Sequence, residues 1–262
     1  MIIYYFFNYI KKKLTKGLKH SGGRNFLGRV CIRGRGGGNK KLYRYIDFYR
    51  RLNQYGKVLK IFKDSNRTGR IALILYMSGL SNYILIQKDI KLNSIIYSGS
   101  LYNESLDLIS NGFSLPLKYM PLFSILSNIE SNAGKGSNLA RAASVSSLLM
   151  SKDKKYGYLK FNSGWQLKLS LNCIASMGAI SALYNKDIII GKAGKNRALG
   201  FKPKVRGVAK NPCDHPHGGG NGKKAKPMIP KNAWSTVFKW KHTKITKLAN
   251  LNRRLYKTII EK

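Results

Sequence analysis

Carboxylates are scarce in this 262-residue chain: 10 Asp and Glu stand against 49 Lys and Arg, a formal charge of +39. Acid–base chemistry that needs paired carboxylates has little to draw on. Cysteine is also sparse. Cys31, Cys173 and Cys213 are far apart, none forms a CxxC pair, and the odd count argues against a disulfide framework. Long apolar runs are missing. The opening MIIYYFFNYI is too short to span a bilayer. Its basic run Lys11-Lys12-Lys13 follows the apolar stretch, whereas a secretory signal places charge before it. We read residues 1–18 as an arm that packs on a neighbour, with no stable membrane insertion. No fixed-period repeat is visible.

What is present is cationic and rich in glycine. A 43% hydrophobic content suffices to build cores. A charge this large would make a compact monomer repel itself unless a polyanion accompanies it. The charge is uneven. Lys19, Arg24, Arg29, Arg33, Arg35, Lys40, Lys41, Arg44 and Arg50 are opposed only by Asp47. Between Ile71 and Glu130 the balance is slightly acidic. From Lys186 onward the only acids are Asp187, Asp214 and Glu261. The near-neutral middle can fold as an ordinary core, and the flanks carry the excess.

The middle reads as β structure. GKVLKIFKD, RIALILYMSG and NYILIQK are short runs rich in Ile, Leu and Tyr, bounded by Gly and Asn. In YGYLKFNSGWQLKLS, Trp165, Leu167 and Leu169 alternate with polar residues, and Asn162–Gly164 turns the chain into a hairpin. The expected fold class is all-β, with two small barrels in tandem and basic irregular extensions at both ends. The expected divisions are a barrel at 19–100, a turn-rich connector at 101–121, a second barrel at 122–190 and a basic extension at 191–262. ITKLANLNRRLYKTII near the end has loosely helical spacing.

SGGRNFLGRVCIRGRGGGNKK alternates glycine with arginine and lysine. Glycine admits positive φ and close backbone approach, and successive exposed N–H groups form concavities that hold anions. Arginine adds bidentate phosphate contacts and stacks on unpaired bases. GKAGKNRALGFKPKVRGVAKNP repeats this chemistry, and NAGKGSNLAR supplies a shorter instance. None has the spacing of a nucleotide phosphate loop. The loops nominate Arg24, Asn25, Arg29, Arg33, Arg35, Gly36, Gly37, Lys40, Lys41 and Arg44 for RNA binding. From the later stretches come Lys135, Arg141, Lys192, Lys195, Arg197, Lys202, Lys204 and Arg206.

NPCDHPHGGGNGKKAKP, from Asn211 to Pro227, admits two readings. Cys213, His215 and His217 would share one face of an extended chain, so a metal- or histidine-dependent enzyme acting on RNA has to be weighed. No second ligand cluster or nucleophile motif accompanies them. The alternative is a loop stiffened by Pro212 and Pro216 and threaded into folded RNA. Asn211, His215, His217, Gly218, Gly219, Gly220, Lys223 and Lys224 would then meet it, with the three glycines permitting backbone approach. We expect no catalytic residue, no protein-bound metal and no cofactor beyond Mg2+ associated with the RNA. A free-standing nucleic-acid chaperone is a further alternative.

The chain resembles the universal large-subunit ribosomal protein L2 (uL2) family. The stretches that carry the resemblance are SGGRN, RGRGGGNKKLYRYIDFYR, DSNRTGRIALILY, NIESNAGKGSNLARAA, GKAGKNRALGFKPKVRGVAKNP and DHPHGGG, in the family's order. The resemblance implies an OB-fold, then an SH3-like barrel, then an extension entering large-subunit rRNA near the peptidyl transferase centre. It also implies contacts with other ribosomal proteins and roles in subunit association and tRNA placement, with peptide-bond formation left to RNA. Ala198 stands where the family pattern leads us to expect tryptophan, Cys213 where a small aliphatic residue is expected, and Asn221 where glutamate is expected. Those departures, together with residue usage typical of AT-rich codons, lead us to expect an organelle-encoded mitochondrial ribosomal protein, with a plastid or an AT-rich bacterium as alternatives.

Overall fold

The computed structural model describes residues 12–100, 109–220 and 229–237. The apolar start of the N-terminal arm, Lys223, Lys224 and the expected C-terminal helix lie outside them. The described chain is dominated by strands, as the all-β expectation requires. It divides into two compact units. One comprises residues 1–19 and 40–189; the other comprises 20–39 and 190–262.

The first unit holds the fourteen described strands. The expected runs form β3 (Gln54–Lys63), β4 (Arg70–Tyr76) and β5 (Ser81–Leu85), paired antiparallel. β4 is apolar at nearly every position because both of its faces are covered. Ala72, Ile74 and Tyr76 pack with Val58, Ile84, Ile86 and Ile96. Ile71 and Leu73 pack on the other side with Tyr83, Leu85 and Ile180. The alternation is the two-residue period of a strand, read here as two cores rather than one core and one wet face.

The second strand group has its own core of Leu115, Leu117, Met120, Leu126, Ile129, Leu149, Leu159 and Leu169, among others. β12 (Tyr156–Phe161) and β13 (Gln166–Ser170) form the expected hairpin. Gly164 adopts φ 83° at its turn. Trp165 differs from expectation. It lies just before β13 and is half exposed, while Leu169 is buried. The stretch 101–121, read as a connector, contains the buried strand β7 (Ser114–Pro116). Its three residues are bracketed by Asn111-Gly112 and Pro121, so turn chemistry masks a strand this short. β7 pairs with β6 (Ile95–Ser98) through one parallel register position, Ser98 with Ser114, and thereby links the two strand groups in one ten-stranded order.

Arg50 pins that junction. Its Nε donates to Ser98 Oγ at 2.6 Å, and Nη2 donates to the carbonyls of Tyr97 and Gly112 at 3.0 and 3.2 Å. Burial lowers its pKa, partly offset by Tyr76 and Asp47. A guanidinium stays charged even so. Glu130 is the acidic counterpart in the same unit. Fully buried, it accepts backbone N–H groups from Gly134 (3.2 Å), Gly136 (2.9 Å) and Ile174 (3.2 Å), with Arg51 at 3.6 Å. It therefore shapes the loop that carries Lys135.

Candidate nucleic-acid interface

The second unit brings the two basic flanks together. Gly36 N–H donates to the Gly200 carbonyl (2.9 Å), Asn39 N–H to that of Ala198 (3.0 Å), and Lys202 N–H to that of Gly34 (2.9 Å). Gly38 and Gly200 meet backbone to backbone. A Cβ on Gly38 would sit 2.8 Å from Gly200 Cα, so a side chain there would force the segments apart. Arg35 lies over the Phe201 ring with 4.1 Å to its centroid. Among the described residues of this unit no large apolar side chain is fully buried, and backbone hydrogen bonds and glycine contacts link its segments.

That construction leaves the cations outside. Arg24, Arg29, Arg33, Arg35, Lys192, Lys195, Arg197, Lys202, Lys204 and Arg206 are all exposed. Lys195 and Arg197 lie on the six-residue helix α1 (Ala193–Ala198). Gly36 is buried while Gly37 is exposed. Asn25 has a local role, because its side-chain oxygen accepts the N–H groups of Leu27 and Arg29. Asp214 is the only acid in the described part of the unit.

The histidine loop is folded by its own polar groups. The Asn211 carbonyl accepts the N–H groups of Asp214 and His215. His215 Nδ1 accepts the N–H of His217 at 3.0 Å, and His217 Nε2 accepts the N–H of Lys231 at 3.0 Å. Each imidazole therefore has one ring nitrogen committed to a backbone donor. His215 has its pKa lowered by partial withdrawal from water, then by His217, Lys210 and Arg33. Among the described residues, no group of three or more His, Cys, Asp or Glu side chains is arranged to hold a metal.

The glycines of this loop are also required by its own geometry. Gly218 is buried, and a Cβ there would overlap the carbonyl oxygens of Lys210 and Asn211. It is needed for the loop to close on itself. Gly219 (φ 78°) and Gly220 (φ 98°) continue in the left-handed region.

The remaining nominated residues belong to the first unit. Lys40, Lys135 and Arg141 are exposed, and Arg141 lies over Phe48 at 4.9 Å. Lys41 is half-buried on β2 (Lys41–Arg44). Arg44 is engaged inside the fold. Its Nη1 donates to Asp64 at 2.9 Å, and Arg67 Nε donates to the same carboxylate at 2.6 Å. Sequence reasoning did not nominate Lys210, Lys231 or Trp234, which line two clefts of the second unit, of about 560 and 700 Å³. The one signal for the last was an asparagine two residues before a tryptophan in IPKNAW.

Comparison with known proteins decides the family. Residues 11–98 match the model for Ribosomal Proteins L2, RNA binding N-terminal domain, and residues 110–235 match that for Ribosomal Proteins L2, C-terminal domain. The chain belongs to the ribosomal protein L2 family. Among its relatives is the large ribosomal subunit protein uL2 of Rickettsia typhi. The two are 43% identical over 252 residues, covering 96% of this chain and 88% of the relative. The uL2 of Orientia tsutsugamushi is 43% identical over 240 residues, covering 91% and 86%. These L2 relatives are bacterial, which overturns the mitochondrial expectation and points to a bacterial ribosome. Residue usage reflects codon bias and carries no information on compartment.

Proposed function

We propose that this L2 protein is a structural constituent of the large ribosomal subunit that binds large-subunit rRNA, and that its second unit is the part embedded in folded RNA. One observation carries the reading. Two cationic segments from opposite ends of the sequence fold on each other, opposed in the described residues by Asp214 alone, and present their arginines and lysines outward. Such a surface repels itself unless phosphates neutralise it. Exposed Lys135 and Arg141 of the first unit extend the same chemistry.

The protein acts as a scaffold and not as an enzyme. His215 and His217 serve as backbone acceptors that shape the loop, so the metal- or histidine-dependent enzyme is not favoured. Support of the peptidyl transferase region, contacts with neighbouring ribosomal proteins and contacts with the small subunit are part of the proposal. So is Mg2+ carried by the RNA. Sedimentation of ribosomal particles from cells expressing a tagged copy tests it. Stoichiometric co-migration with the large subunit at physiological salt is expected. Migration with free RNA alone would favour the chaperone reading instead.

A further inference from the structure

Two loops of the second unit are built on the same plan, although their sequences differ. In the first, the Asn25 side-chain oxygen accepts the N–H groups of Leu27 (3.1 Å) and Arg29 (2.9 Å). Asn25 N–H donates to the Arg29 carbonyl, and Gly28 N–H donates back to that of Asn25. The flanks close through an Arg24–Val30 bridge. In the second, Asn232 Oδ1 accepts the N–H groups of Trp234 (3.0 Å) and Thr236 (2.9 Å). Asn232 N–H donates to the Thr236 carbonyl, Ser235 N–H donates to that of Asn232, and Lys231 bridges Val237. The fourth residue has positive φ in both, Gly28 at 75° and Ser235 at 63°. Each asparagine thus locks a five-residue tip.

Both tips hold large apolar side chains in solvent. Phe26 is 94% exposed and Trp234 is 53% exposed. Each ring keeps solvent-exposed surface on a braced turn, where it is available to a partner. Trp234 lines both clefts of the unit. The Arg33 guanidinium lies 5.2 Å from its ring centroid. Arg24, Arg35 and Lys202 line the first cleft with it, and Asp214 is the one acid there among the described residues. Cations beside an aromatic face match one ligand chemistry, a nucleotide with its base unstacked and its phosphates close by. A neighbouring protein's apolar pocket would have no use for that ring of charge.

We propose that Trp234 is a stacking platform for an unpaired base of the rRNA, with Arg24, Arg35 and Lys202 taking the adjoining phosphates. The inference rests on the rRNA-binding reading above and adds a base-dependent contact to it. Asn232 is the positioning residue.

The test uses the full chain with two labelled probes, a short oligoadenylate and an oligomer of the same length and charge that lacks bases. Trp234→Ala is expected to weaken oligoadenylate binding on the order of tenfold, with abasic binding unchanged. Trp234→Phe should stay within about threefold of the parent, because it keeps a ring. The melting temperature of each variant verifies the fold. Asn232→Ala should give a partial, base-dependent loss. Equal losses on the two probes, or no loss on either, would overturn the stacking assignment while leaving phosphate binding intact. Absence of salt-dependent binding of the parent to either probe would instead sink the rRNA-binding reading, and this inference with it.

Discussion

Glu130→Ala is the substitution from which the structure predicts the largest effect. The carboxylate is fully buried and accepts three backbone N–H groups, from Gly134, Gly136 and Ile174. Removing it leaves those donors without an acceptor. A buried donor stripped of its partner costs about 1–3 kcal/mol. Gly134 is exposed and recovers a water, so the two remaining donors sum to about 2–6 kcal/mol. That is a large share of the roughly 5–15 kcal/mol that holds a domain folded. Arg51 provides the control. It is 43% exposed at 3.6 Å from the carboxylate, so Arg51→Ala should cost no more than about 1 kcal/mol. Thermal or urea unfolding followed by far-ultraviolet circular dichroism measures both. Equal small shifts for the two variants would refute the reasoning, since they would show that the ion pair and not the backbone donors defines the role of Glu130.

Three other outcomes follow from the second unit. Gly218→Val should disrupt the histidine loop and weaken rRNA binding at least about tenfold, whereas Lys202→Ala removes one exposed charge and should weaken it by only a fewfold; equal tolerance of both would contradict the packing reason given for Gly218. His217→Ala removes the acceptor for Lys231 N–H, about 1 kcal/mol, so that amide should exchange roughly fivefold faster. A collapse of peptidyl transfer in normally assembled subunits with Lys231 protection unchanged would restore a chemical role to the histidine. His215 has its pKa lowered in the folded loop, so its contribution to stability is complete above the unfolded value near 6.5 and is lost as pH falls from there through the folded value. A nuclear magnetic resonance titration that places His215 at or above 6.5 would reverse that sign.

Much of the first unit was legible because its signals are local. β3, β4 and β5 are β-branched and aromatic runs between turn residues, and the Asn162–Gly164 turn specifies its own hairpin. β7 was hidden because three residues carry almost no periodicity. The basic loops were legible as chemistry but not as architecture. Nothing local announces that Gly38 will touch Gly200, because the contact joins segments separated by an entire strand-rich unit. Arg44 looked like its neighbours in sequence, and only the buried Asp64 distinguishes it. The histidines were read as facing RNA. One nitrogen of each ring also accepts a backbone N–H that the sequence could not place, from His217 itself and from Lys231. Trp234 was passed over because its importance comes from a turn matched elsewhere in the fold.

The account depends on phosphate neutralisation by the second unit, and the salt dependence of rRNA binding measures that directly. Each phosphate contact releases a counterion. If as few as six of the exposed cations engage, the logarithm of the binding constant should fall against the logarithm of salt concentration with a slope of about −4 to −5. Reversing charge at Arg33, Arg35 and Lys202 together should make that slope shallower by about two to three. A slope near zero in the parent protein, or one left unchanged by the triple variant, would contradict the account.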